Sequence, residues 1–373
     1  MKKSRIMALL CASALVMGLV GCGGSSSSSS AGSSAAASGS AAASASGEGE
    51  TGEALIKQND FVIGLSNSYY GNTWRKVMVD DFITVAEEAK EKGYISDYEV
   101  QNGDNTINNQ IEQINTYILK GVDAIVIDPA SATALNDVLK KAQDAGIVIC
   151  GFDCNVEDEA IPQFIYNYDE FEQRVTDIAE ISGAGTTEPL NVIEVRGLEG
   201  APADAGMAAG VAKGLESHPN FNVVATVWGQ FSATKTQEEI SKILPSLPEI
   251  DAVITQCGGD SWGAVQAFAQ SDRPMPIILG DGGTEYINWW KEQIAANPEF
   301  KSTSLSTSPS GAQQAFWACL YMLNGVDVPK NIYTSLVRIE QDELDSIPEL
   351  EPGACYSPYY SADEVYDEIV ANR

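Results

Sequence analysis

Histidine is almost missing from this chain: 373 residues contain one, His218, set in a turn-like run with Pro219 and Asn220. Metal sites and catalytic triads built on imidazole therefore have little to draw on. Positive charge is also scarce. There are 22 Lys and Arg against 52 Asp and Glu, a formal net charge of −30, and Lys2, Lys3 and Arg5 fall in a leading stretch that holds no acidic residue. A field of that sign repels polyphosphate, which argues against nucleic acid or an anionic membrane surface as a partner. No GxGxxG or P-loop pattern lies among the residues that follow the apolar runs of the body, so there is no phosphate cradle there for a nucleotide enzyme. The body of the chain has five cysteines, Cys150, Cys154, Cys257, Cys319 and Cys355. Odd in number and thinly spread, they do not make a disulfide scaffold, and the absence of paired C-x-x-C clusters leaves no zinc site. Cys150 and Cys154 read as strand-end residues rather than a redox pair.

What is present begins at the amino end. Lys2, Lys3 and Arg5 precede an apolar run over 6–21, shorter than the roughly 20 residues that span a bilayer, which reads as a secretory signal. It ends in LVGC at 19–22 and so resembles the bacterial lipobox, in which the Cys22 thiol would accept diacylglycerol. From 23 to 50 only Gly, Ser, Ala and Glu occur, a composition that cannot offset the entropy of ordering a backbone. The expected organisation is a signal peptide over 1–21, a lipidated cysteine with a flexible tether over 22–54, and a globular body from 55. The tether's reach, about 5 to 6 Å times the square root of its length, is on the order of 30 Å. A body of that size suits two domains.

Within the body, short β-branched runs alternate with amphipathic segments: FVIGL at 61–65, AIVI at 124–127, IVI at 147–149, FIY at 164–166, NVIEV at 191–195, NVVA at 222–225, AVI at 252–254 and IIL at 277–279. Continuous apolar runs belong to strands covered on both faces. The segment 74–92 carries Val77, Phe82, Val85 and Ala89 on one side and stops at Gly93, and 134–145 stops at Gly146, as helices do. The pattern predicts an open, doubly wound α/β fold with right-handed crossovers. Ligands in such folds lie beyond the carboxyl ends of the strands. Polar and aromatic residues collect at those places, among them Tyr70 and Asn72, Asp153, Asp204, Trp228, Asp260 and Asp281.

The order of these motifs resembles the type I periplasmic sugar-binding proteins, the ribose-binding-like substrate-binding components of ABC transporters. The likeness is carried by VIGLS at 62–66 with NTWR at 72–75, IEQINTYILKGVDAIVI at 111–127 with Asp128 and Pro129, AGIV at 145–148 leading to Asp153, DAV at 251–253 with Gly259 and Asp260, and GDG at 280–282. It implies two doubly wound parallel-sheet lobes joined by a three-crossing hinge, one lobe holding 55–165 plus 308–336 and the other 166–307 plus 337–373. It implies a monosaccharide in the cleft between them, an ABC permease as partner, no cofactor, no metal, no bond broken, attachment to the membrane through the lipid alone, and a monomer on the outer face of the cytoplasmic membrane or in the periplasm. A sensor feeding a chemoreceptor or histidine kinase, or a binder of a furanose-like signalling molecule, shares the same features. A carbohydrate enzyme using Asp153 and Asp281 is the reading from another class, and a transcription regulator would need a basic DNA-binding head that this chain does not show.

A sugar offers an apolar face and a belt of hydroxyls, so its site needs aromatic plates with carboxylates, amides or guanidinium in the ring plane. Trp74 and Trp228 are the candidate plates, with Tyr70 and Trp262 behind them; the alternative for each is core packing. Arg75 either forks two hydroxyls or sits in a salt bridge. Asp153 and Asp281 either accept from hydroxyls or cap the next helix. Asn72, Asp204 and Asp260 complete the set. Ribose-like members place Arg directly after the carboxylate at 153, where this chain has Cys154, and the helix from Asp204 to Met207 carries no Arg. With Arg75 beside Trp74, the resemblance turns toward galactofuranose-type and other furanose or pyranose binders. In the carboxyl tail, Cys355, Tyr356, Tyr359 and Tyr360 either cover the hinge or cleft edge or lead into a docked terminal helix over 362–371.

Overall fold

The computed structural model describes residues 51–373 except Glu159 and Thr186; the signal, Cys22 and the tether as far as residue 50 lie outside the described residues. The first lobe runs β1 (Val62–Asn67), α1 (Thr73–Glu91), β2 (Asp97–Asn102), α2 (Ile107–Lys120), β3 (Ala124–Asp128), α3 (Asn136–Asp144), β4 (Val148–Phe152) and β5 (Gln163–Tyr166). The second continues with α4 (Glu172–Ser182), β6 (Leu190–Arg196), α5 (Pro202–Ser217), β7 (Phe221–Trp228), α6 (Ala233–Ile243), β8 (Ala252–Ile254), α7 (Asp260–Ala269), β9 (Ile277–Ile278), α8 (Thr284–Ala296) and β10 (Ser304–Ser306). The chain then returns through α9 (Gly311–Leu323) and β11 (Asn331–Thr334) to the first lobe, crosses again to β12 (Val337–Ile339), and ends in α10 (Ala362–Ala371).

Strand order is β11-β5-β4-β3-β1-β2 in the first sheet and β7-β6-β8-β9 in the second, with every pairing parallel. Both sheets reverse direction of winding at equivalent places, between β1 and β3 and between β6 and β8, and these switch points are where an open α/β sheet leaves room for a ligand. The expected α/β fold of two parallel-sheet lobes is what the chain adopts.

Alternation explains why both sheet faces are covered. Ala124 and Val126 of β3 face α1 and α9, whereas Ile125 and Ile127 face α2 and α3. In the second lobe Val192 joins α4 and α5, and Ile193 and Val195 join α6, α7 and α8. Helix α9 is buried on every side from Gly311 to Tyr321, as an apolar helix enclosed by a sheet and two other helices must be. Helix starts are fixed locally: Asn72 Oδ1 accepts from the Arg75 amide at 2.9 Å, and Thr106 Oγ1 accepts from Asn109 at 3.3 Å.

Two expectations about domain limits are corrected. The tail, assigned from 337 onward to the second lobe, divides: β12 and Leu344 join the second lobe's core, but Ala362, Val365 and Ile369 of α10 are buried in the first lobe's core beside Trp317 and Tyr321. The stripe at 362, 365 and 369 needs a partner, and α9 supplies it. Similarly, the tether does not run to 54. Gly52–Leu55 forms a 3₁₀ turn docked on α10, with the Glu53 amide donating to Asp363 Oδ1 at 2.7 Å. The chain therefore crosses between lobes three times, after β5, β10 and β11, and the tail adds a fourth passage.

The α10 interface contains a buried carboxyl. Glu368 accepts from Gln314 Nε2 at 2.7 Å, and burial pushes it up to about 7. A raised carboxyl means that the native state holds a proton the unfolded chain releases, so this group's contribution is present at low pH and lost as pH climbs from about 4.5 through about 7. Glu368→Gln should flatten that decline and leave the variant at least as stable as the parent at pH 8, read as urea midpoints between pH 5 and 8.

Candidate functional site

A cavity of about 640 Å³ lies between the lobes. From the first lobe Tyr69, Asn72, Trp74 and Lys76 line it; from the second come Gln230, Phe231, Lys235, Trp262, Gln266 and Asp281; Thr307 belongs to a crossing, and Gly353 to Cys355 to the tail. Of the nine residues expected at a ligand site, Asn72, Trp74 and Asp281 line this cavity. The others stand elsewhere at the strand ends, and their partners define what each does there.

Arg75 and Asp153 meet in the first lobe, at its switch point. The Arg75 guanidinium forms an ion pair with Asp128, lies 3.5 Å from Asp153 and donates to Asn67 Oδ1 at 3.2 Å. It also rests over the Trp74 ring, 5.3 Å from the centroid. Asp128 is fully buried and Asp153 is 9% exposed, so one cation serves two desolvated carboxylates. Burial pushes Asp153 above the usual carboxylate range while Arg75 pulls it back. The salt-bridge reading of Arg75 is thus realised in a buried form, with Asp128, marked in the sequence only as the residue before Pro129 at the end of an apolar run, as its positioning partner. The Trp74 indole donates to the Thr307 carbonyl at 3.4 Å.

In the second lobe each carboxylate is met differently. Asp204 takes both prongs of Arg196 at 2.9 and 2.6 Å, the Gly197 amide at 2.9 Å and Gln256 Nε2 at 3.0 Å. Its oxygens are occupied, and its role here is to hold the turn after β6. Arg196 in turn covers Trp228 at 5.0 Å. Asp281 Oδ2 accepts from the Gly259 and Ser261 amides at 3.0 and 3.1 Å, sitting on the amino end of α7, where a helix favours negative charge. Asp260 is wholly buried; Oδ1 accepts from Thr236 at 2.7 Å while Oδ2 has no partner among the described residues, and burial drives it well above the carboxylate range. Tyr70 is 41% exposed. Beneath the Asp281 loop, buried Arg174 donates to the carbonyls of Gln256, Gly280 and Leu305 and so ties the ends of β8, β9 and β10 together.

Backbone strain marks the same region. Among the described residues, four other than glycine have positive φ, and three of them are Asp153, Gln230 and Phe231, a conformation costly for a bulky residue. Phe231 lines the cavity, and sequence patterning missed it. Its ring lies where a side chain on Gly197 would be, and a Cβ on Gly258 would stand 2.7 Å from the Phe231 Cβ. The sequence signal was the G-G pair at 258–259, which admits this close approach at φ +71°.

Asp128, Asp153 and Cys154 bring potential metal-ligand atoms within 4.8 Å of one another, but the Arg75 guanidinium already supplies the cation to this group. Burial pushes the Cys154 thiol up to about 12, so it stands there as a neutral, weak donor.

A family model described as periplasmic binding protein domain matches residues 63–327. The chain belongs to that family. This periplasmic binding protein is 27% identical over 188 residues to the galactofuranose-binding protein of Escherichia coli, a match covering 49% of this chain and 56% of that one. It is 25% identical over 232 residues to a D-apiose import binding protein of Actinobacillus succinogenes, 61% and 72% of the two chains. Among solved structures, an ABC transporter solute binding protein from Thermobispora bispora superposes with a TM-score of 0.75 at 30% identity, over 84% of this chain and 96% of that one. These relatives are binding proteins, not enzymes. Among the described residues no helix is long and apolar enough to cross a membrane.

Removing Asp128 leaves Arg75 short of its fully buried partner. Asp128→Asn should cost on the order of 3 kcal/mol, the scale for breaking a buried ion pair, as measured by urea denaturation.

Proposed function

We propose that this periplasmic binding protein captures a monosaccharide in the interlobe cavity and delivers it to an ABC permease, held at the membrane by a lipid on Cys22. The observation that carries the reading is the cavity's lining: the faces of Trp74, Trp262 and Phe231 with the amides of Asn72, Gln230 and Gln266 and the Asp281 carboxylate. Flat apolar plates beside fixed acceptors and donors match a sugar's C–H face and hydroxyl belt. Behind Trp74, Arg75 and Asp153 offer a charged donor and acceptor at the lobe's switch point. The relatives named for galactofuranose and D-apiose support a furanose-type or related ligand. The finer assignment keeps Asn72, Trp74, Arg75, Asp153 and Asp281 as ligand contacts. Asp204, Trp228 and Asp260 are assigned to holding the second lobe's strand ends, and Tyr70 to the rim.

The binding cycle follows from two lobes that share a ligand. A solute touching both favours the closed arrangement by its differential contacts, and hinge closure of this kind is the general behaviour of such proteins. Hydrogen bonds with one charged partner contribute roughly 1.5 to 3 kcal/mol each, so a few of them support micromolar capture, about −8 kcal/mol, after ordering costs. The closed form presents both lobe faces to the permease, and no covalent bond changes.

Calorimetry with a panel of pentoses and hexoses tests this. One sugar should release heat, and Trp74→Ala and Asp153→Ala should each weaken it by about 10- to 100-fold. Silence across the panel, with an unchanged scattering envelope, overturns the reading. For the anchor, Cys22→Ser should move the protein from the membrane fraction to the soluble one; a variant that stays with the membrane would show that the attachment is not lipid on Cys22.

A further inference from the structure

The carboxyl tail passes from one lobe to the other beside the cavity, and it does so with no slack. On the second lobe it is pinned to the loop that follows Asp281. The Gly353 amide donates to Glu285 Oε1 at 2.7 Å, the Thr284 amide to the Ala354 carbonyl at 3.0 Å, and the Tyr356 amide to the Gly282 carbonyl at 2.8 Å. Cys355 thereby forms an antiparallel bridge with Gly283. The next residue belongs to the first lobe: Ser357 Oγ donates to Asp81 Oδ2 on α1 at 2.5 Å and lies 3.3 Å from Ser308 Oγ in the second crossing. Tyr360 then donates to Gln313 Oε1 at 2.7 Å and accepts from Trp317 Nε1 at 3.0 Å, and α10 enters the first lobe's core. One peptide link, about 3.8 Å between Cα atoms, carries the changeover from Tyr356 to Ser357. The lobes cannot separate at this point unless an anchor on one side is released.

The same stretch faces the ligand space. Gly353, Ala354 and Cys355 line the cavity together with Asp281 and Trp74. In the bridge with Gly283 the two flanking residues make the hydrogen bonds, so the N–H and C=O of Cys355 point away from that loop. Among the described residues neither has a hydrogen-bond partner. A donor and an acceptor, set on a rigid extended segment beside a carboxylate and an indole, suit a hydroxyl of a bound polyol.

We propose that the tail forms a third wall of the ligand site: Cys355 contacts the bound solute through its backbone and side chain, and the anchored handover at Tyr356 and Ser357 fixes that wall to both lobes. This assignment rests on the reading of the cavity as a sugar site. It makes the ligand's fit depend on a segment outside the two lobe sheets.

Full-length protein is labelled with N-ethylmaleimide, and the rate at Cys355 is read by peptide mass spectrometry with and without D-galactose, L-arabinose, D-ribose and D-apiose, each first titrated by calorimetry. A sugar that releases heat should slow labelling of Cys355 at least about tenfold, as expected for a thiol withdrawn from solvent. Heat with an unchanged rate at Cys355 overturns the wall while leaving the sugar reading intact. A panel that releases no heat overturns the sugar reading and the wall with it. Ser357→Ala, shown to be folded by its thermal transition, should speed labelling of Cys355 about tenfold, the local opening expected on loss of one charge-assisted bond. Glu285→Ala serves as the second variant, removing the acceptor of the Gly353 amide and so releasing the other anchor. Parental rates in both variants overturn the anchored tail.

Discussion

A carboxylate taken out of water must be met by something, and the cleft of this strongly acidic protein is organised by how each one is met. Asp128 and Asp153 share Arg75, Asp204 has Arg196 to itself, Asp281 sits on the amino end of a helix, and Asp260, pushed up by its burial, accepts from Thr236. Desolvated charges of this kind cost several kcal/mol each when left alone, so these pairings fix the strand ends before any ligand arrives. Arg75 is the centre of the arrangement. Its guanidinium joins the ends of β1, β3 and β4 and lies over Trp74, which in turn reaches the second crossing through its indole. Losing it would release two carboxylates, one aromatic plate and one contact to the hinge together.

Placed on this frame, the two lobes repeat one design. Each sheet winds outward from a central strand, β1 in one and β6 in the other, and each puts an arginine and a carboxylate at its switch point. The lobes differ in how tightly the arginine is engaged. Arg75 has two carboxylates to serve, so the first lobe is left with acceptor capacity, whereas Arg196 and Asp204 satisfy each other. The second lobe offers instead the strained Gln230 and Phe231 and the capped Asp281.

Much of this was legible in the sequence, and the reasons for the rest are physical. The apolar runs at 61–65, 124–127 and 191–195 fall on β1, β3 and β6, because strands buried on both faces leave an uninterrupted signal. β2, at the sheet edge and half exposed, carries DYEVQN and leaves none. The helix over 362–371 could be read from its spacing, but the lobe that receives it could not, since a stripe at 362, 365 and 369 says only that some apolar surface must cover it. Trp74, Asn72 and Asp281 were found because they follow strands directly. Phe231 was not, since its place over Gly197 and Gly258 depends on two segments distant in the chain. Asp204 and Trp228 were expected to contact ligand, but neither lines the cavity, and the Arg196 that meets both is fixed only by three-dimensional proximity.

The bond from the Trp74 indole to the Thr307 carbonyl has an optical consequence. Trp290 and Trp317 are sealed inside single lobes, so their surroundings stay constant when one lobe pivots on the other. Trp74 belongs to one lobe while its N–H rests on a strand that leads to the other, under a guanidinium whose charge acts on the indole's excited state. Rotation at that strand alters both influences at once. Trp74 is therefore the indole whose emission is expected to change with lobe angle, against the constant signal of the two sealed ones.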